Sequence, residues 1–109
     1  MKNFIKEITI GKKYAQPLYG IIFSTNGKGI GEEDERGITL QPGIPTRDEV
    51  ISAIITDMYP LDKMQAVQNN YLLDSNDEEA IAEMNAMQEW RAHAKAVADE
   101  FIEYLNNNN

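Results

Sequence analysis

The apolar residues of this chain change their period partway along. In Lys2–Ile10 they recur every second residue, with Phe4, Ile8 and Ile10 on one face and Glu7 and Thr9 on the other. Lys6 is a defect in that pattern, and Ile5 falls on the polar side. A period of two predicts a half-buried strand, and Gly11-Lys12-Lys13 ends the run. Leu18–Thr25 (LYGIIFST) is a second run, rich in the β-branched and aromatic residues that suit a pleated surface. Pro17 stands at its entrance, where a missing N–H matters least. Between the two, KKYAQP reads as a hairpin or a crossing loop. Gly37–Leu40 (GITL), closed by Gln41-Pro42-Gly43, is a short third strand candidate.

From Thr46 the period becomes helical. Thr46 and Glu49 form a capping box, in which the hydroxyl accepts the N3 amide and the glutamate reaches back to the cap amide. Asp48 and Glu49 also suit the positive end of the helix dipole. Val50, Ile51, Ile54, Ile55 and Met58 follow at helical spacing. The helix should stop near Tyr59, because Pro60 pushes the residue before it out of the α region. A second helix is expected over about Asp62–Leu72, with Met64, Val67 and Tyr71 on one side. Ser75 and Glu78 repeat the capping pattern and open the last and longest helix, from Asn76 or Asp77 to Leu105. Its apolar positions include Ala80, Met84, Met87, Trp90, Ala94, Val97, Phe101 and Tyr104, alternating by three and four from Met87 onward as in a coiled-coil seam. Nearly thirty residues make a helix of about 45 Å. That exceeds the width of a compact domain of this size, about twice a ~13 Å radius of gyration. Part of it must overhang, bend or pair with another copy.

The expected fold is α+β: a small N-terminal antiparallel sheet of two or three strands, followed by three helices, the last one long. Residues 1–109 suit one domain, with 1–43 strand-rich, 46–105 helical and 106–109 a frayed tail. Apolar residues are 42% and charged residues 26% of the chain, as in an ordinary globular protein. No segment approaches the roughly 18 apolar residues that span a membrane. In MKNFIKEITIGKK, Lys6 and Glu7 interrupt what would be the apolar core of a signal peptide. A soluble, cytoplasmic protein is expected.

The net charge of −8 is uneven: residues 1–30 carry +4 and residues 31–109 carry −12. An acidic body repels phosphate backbones, which argues against nucleic-acid binding. It serves solubility first. A basic protein partner, mimicry of nucleic acid, or head-to-tail contact between copies through the oppositely charged regions are the sharper alternatives.

Few chemistries fit the remaining motifs. The absence of cysteine removes disulfides, thiolate catalysis and Cys-based zinc sites. In FSTNGKGIGEEDERG (Phe23–Gly37), Gly27-Lys28 is followed by Gly29 rather than Ser or Thr, and Ile22 stands where the first P-loop glycine belongs. Gly27, Gly29 and Gly31 are spaced by two, so the dinucleotide fingerprint fails as well. Asn26-Gly27 is a turn signal, since both residues tolerate positive φ; the stretch reads as a turn or loop with an acidic tip, and partner contact is its residual functional role. In DSNDEEAIAEMN (Asp74–Asn85) Glu79 replaces the glycine and Asn85 the bidentate glutamate of a calcium loop; a helix N-terminus is expected instead. His93, the only histidine, has Glu89 and Val97 at four residues, so no histidine metal pair forms. It reads as a solvated side chain on a charged helix face. Eighteen acids always offer some carboxylate pair for acid–base work, which says little. Trp90 with Met58, Met64, Met84 and Met87 reads as core packing, or alternatively as an interface.

NNYLL (Asn69–Leu73) and MQEWRAHAK (Met87–Lys95) resemble small uncharacterised proteins encoded in prophages or mobile regions of gut bacteria, over roughly Asp62–Ala98. The resemblance implies a virion-associated or phage-accessory role and no catalytic residues. The function expected is a non-catalytic protein–protein interaction or assembly protein, not an enzyme, self-associating through the C-terminal helix at Met87, Trp90, Val97, Phe101 and Tyr104. Neither a cofactor nor a metal is expected. The alternatives are an acidic inhibitor or decoy for a basic partner, and a small cofactor-free carboxylate enzyme.

Overall fold

The computed structural model describes residues 4–27 and 34–108. Strands β1 (Ile5–Lys13), β2 (Gln16–Ser24) and β3 (Glu35–Thr39) form an antiparallel sheet in the order β1-β2-β3. Helices α1 (Arg47–Met58), α2 (Leu61–Leu73) and α3 (Glu78–Asn107) follow. The α+β architecture expected from the change of period is the one observed.

β1 departs from its expected form in two respects. Ile5 is buried rather than on the polar side, because the register with β2 shifts between Ile5 and Glu7. The extra residue of this bulge is Lys6, which puts Ile5 and Ile8 on one face despite their odd spacing. Lys6 reaches across β2 to Glu35 (2.7 Å). The strand also continues through Gly11 to Lys13, since ladder hydrogen bonds do not need apolar side chains once a hairpin fixes the register. At the other end of β2, Asn26 and Gly27 take φ of 49° and 75°, as their turn chemistry requires, and the Thr25 amide donates to the Asp34 carbonyl (2.9 Å). Residues 28–33, the centre of the glycine-rich stretch, lie outside the described residues.

The capping box of α1 forms, with the Glu49 amide donating to Thr46 Oγ1 (3.2 Å) and the Thr46 amide to Glu49 Oε1 (3.1 Å). The second expected box does not. Asp77 is the N-cap of α3, because Asp74 takes the turn first: its carboxylate accepts the Asn76 amide (3.0 Å) and its carbonyl the Asp77 amide (3.2 Å). Such an Asx turn competes directly with a cap.

One face of the sheet packs on the C-terminal half of α3. Trp90 lies 6.0 Å from Phe23 and Phe101 lies 5.5 Å from Tyr19, ring to ring, so β2 and α3 run in opposite directions. Helix α1 covers a second flank, also antiparallel to α3: Arg47 pairs with Asp99 (2.6 Å), and Trp90 Nε1–H donates to the Ile54 carbonyl (3.1 Å). Arg36 ties β3 to the carbonyl end of α1 through Asp57 (2.6 Å), where a cation also complements the dipole. Helix α2 continues the line of α1 after the break at Tyr59-Pro60 and covers the N-terminal half of α3. The overlong helix is therefore accommodated by an overhang that α2 clothes, and the longest dimension is 49 Å.

Candidate functional site

The five sequence candidates do not form a surface. Met87, Trp90, Val97 and Phe101 are 0% exposed in the single chain. Tyr104 is half-buried and stacks on Phe101 (6.4 Å). The seam that looked like spare interface is the core itself, met by the sheet on one side and α1 on the other, so self-association cannot run through these four side chains. His93 is likewise buried rather than solvated. It falls three residues after Trp90 and four before Val97, on the same inward stripe. Its Nε2 lies 2.6 Å from the Ser24 carbonyl, and Phe4 meets its ring edge-on at 4.7 Å.

Among the described residues, Ile44 before α1 and Leu61 at the start of α2 are exposed large apolar side chains, and the others lie at the two ends of the long axis. Because β2 runs against α3, the β1–β2 turn lies beyond the C-terminal end of α3. Ile10 shares the inward face of Ile8 but is 59% exposed; α3 ends at Asn107 and does not reach far enough to cover it. The turn itself is Tyr14-Ala15, with Tyr14 80% exposed and Lys12 and Lys13 beside it, Lys13 Nζ lying 5.4 Å from the Tyr14 ring centroid. Tyr14 and Ala15 have φ of 55° and 62°, a left-handed pair that costs about 1–2 kcal/mol per non-glycine residue. Replacing them with Asn-Gly, the pair that this two-residue turn favours, should raise stability by about 1–2 kcal/mol in urea denaturation.

At the opposite end is the α2–α3 elbow. Leu72 and Leu73 are 78% and 85% exposed. Between the helices runs a groove of about 480 Å³ lined by Ala66, Ala82 and Ala86, with Val67 and Tyr59 buried and Lys63 Nζ lying 4.8 Å from the Tyr59 ring centroid. Asn70 and Glu83 join it to a second cleft of about 330 Å³, whose mouth carries Asp74, Asp77 and Glu79 beside Leu73. Small alanine side chains open the groove because two helices meeting on alanine leave room at their rim. Asp77, Glu78 and Glu79 serve the α3 dipole; the exposed leucines have no comparable task inside the chain. The Tyr59 phenol is pushed above the ordinary tyrosine value, by burial first and then by the charge of Glu83. A raised value favours the protonated phenol in the folded state, so its contribution is complete below about pH 10 and is lost as pH rises beyond that. Following tyrosinate absorbance, one phenol should ionise above the ordinary range, and Tyr59→Phe should remove that late step.

No described helix is long and apolar enough to cross a membrane, and among the described residues no cluster of three His, Asp or Glu side chains is placed to hold a metal ion. No family model, curated protein or solved structure matches the chain significantly. Sequence reasoning missed the elbow because the second helix was read to Leu72 with Met64, Val67 and Tyr71 as its packed side, and nothing in that reading marked Leu72 and Leu73 as surface. A signal was present: they are adjacent, and two consecutive residues cannot both face one neighbouring helix.

Proposed function

We propose that the chain is a non-catalytic protein–protein interaction module whose contact surface is the α2–α3 hairpin. The observation that carries this is exposed Leu73, with exposed Leu72 next to it, at the acidic mouth of a largely apolar groove. Exposed apolar side chains rimmed by charge mark contact surfaces. The resemblance over 62–98 includes NNYLL, which holds both leucines, and supports a phage-accessory setting. A photo-crosslinking residue at position 73 should give protein adducts in cells, while the same residue at Lys95, on exposed α3 surface, should give none. Equal yields from the two positions would remove the hairpin as the contact surface.

The acidic-decoy alternative draws on one observation: Asp74, Asp77, Glu78, Glu79 and Glu83 follow one another with no basic residue between 74 and 83. It shares the surface and differs in the partner, which would then be strongly basic and released steeply by salt. The carboxylate-enzyme alternative is weaker. Four carboxylates line the cleft, yet Asp74, Asp77 and Glu79 are exposed, and acid–base catalysis draws on carboxylates set apart from water.

A further inference from the structure

Resting on the interaction role just proposed, we infer that the occupant of the α2–α3 cleft is the β1–β2 hairpin tip of a second copy of this chain. The two ends of the molecule are complementary in charge. One is a narrow wedge, a two-residue turn with Lys12 and Lys13 beside an exposed tyrosine. The other is a cleft with Asp74, Asp77, Glu79 and Glu83 around its mouth and, behind it, a groove lined by Ala66, Ala82 and Ala86, at whose far side Lys63 is held over the Tyr59 ring. The lysines meet the carboxylates as Tyr14 enters over the alanines, and Ile10 and the two leucines supply apolar surface at the rim. Close opposite charges at a partly desolvated contact fix register and orientation.

The ends lie at opposite poles of a 49 Å particle, so one copy cannot satisfy itself. Different patches meet, which makes the contact heterologous: it propagates head to tail and closes only if the rotation between copies allows a ring. Each copy carries a net charge of −8, which resists association in every orientation unless close opposite charges at the contact offset it. Salt screens that long-range repulsion over about 8 Å at physiological strength while leaving close pairs less affected, so tip to cleft is the approach that net charge permits.

The test uses purified full-length chain in sedimentation velocity across a dilution series. Wild type should form dimers and longer species as concentration rises. Lys12→Glu/Lys13→Glu and Glu79→Lys/Glu83→Lys should each be folded by circular dichroism and monomeric at the same concentrations. An equal mixture of the two should associate again, because the first retains an acidic cleft and the second a basic tip. That recovery separates a lost contact from a damaged fold. A monomeric wild type, variants that associate like wild type, or a mixture that stays monomeric would overturn the inference. If wild type is monomeric while position 73 still crosslinks to other proteins, the self-contact falls and the interaction role stands; if crosslinking fails too, both fall.

Discussion

Trp90→Ala should cost about 3–5 kcal/mol of stability, the range for removing a large aromatic from a packed core. Trp90 is completely buried between Phe23 of β2 and α1, and its indole N–H donates to the Ile54 carbonyl. Truncation removes the packing of three elements at once. Against the roughly 5–15 kcal/mol that holds most domains folded, a substantial share of stability would go. Trp90→Phe should be milder, because it keeps most of the volume and gives up one hydrogen bond worth about 1 kcal/mol. Phe23→Ala should combine with Trp90→Ala less than additively, since the two rings are neighbours and collapse of one site relieves the other. The measurements are urea denaturation midpoints of the two single variants and the double. A Trp90→Ala protein as stable as wild type would return Trp90 to the surface and the seam to a partner.

The distinction matters because seam and core look the same in a linear pattern. Alternation by three and four says that Met87, Trp90, Val97 and Phe101 share a stripe; it does not say what covers the stripe. The sheet was legible as strands, but its packing on α3 joins residues about seventy positions apart, such as Phe23 and Trp90, and no local rule supplies that pairing. The first capping box was legible because its partners are three residues apart. The second did not form because Asp74 takes the Asn76 and Asp77 amides into a turn and the cap falls two residues later than expected, at Asp77. Ile5 was misplaced because period two presumes an unbroken ladder, and Lys6, the residue that broke the pattern, was itself the mark of the bulge. The candidate site was less legible still. Its charges were visible as opposite signs in two regions, but that Lys12-Lys13 and the acids of residues 74–83 stand at opposite poles follows only from β2 running against α3.

Glu100→Ala should be the most costly loss of a single polar side chain, about 1.5–3 kcal/mol, the range for hydrogen bonds to a charged group. The Glu100 carboxylate accepts from the Phe4 amide (3.0 and 3.1 Å to its two oxygens) and from the Ile5 amide (3.0 Å). These bonds fasten the start of β1 to α3 just before the bulge, where the ladder with β2 is interrupted. The Phe4 carbonyl in turn accepts the Ser24 amide (2.8 Å), so the same carboxylate secures the end of β2, and through Phe4 it holds the ring that covers His93. Glu100→Gln should fall between wild type and alanine, because the amide retains one acceptor oxygen and loses the charge. Hydrogen exchange locates the effect. In Glu100→Ala the Phe4, Ile5 and Ser24 amides should exchange roughly ten- to a hundredfold faster, while Glu89→Ala, on exposed α3 surface, should leave them unchanged. Uniform acceleration across β1, β2 and α3 would instead mean that the start of β1 opens only when the whole domain does, and that Glu100 stabilises the global fold rather than its N-terminal edge.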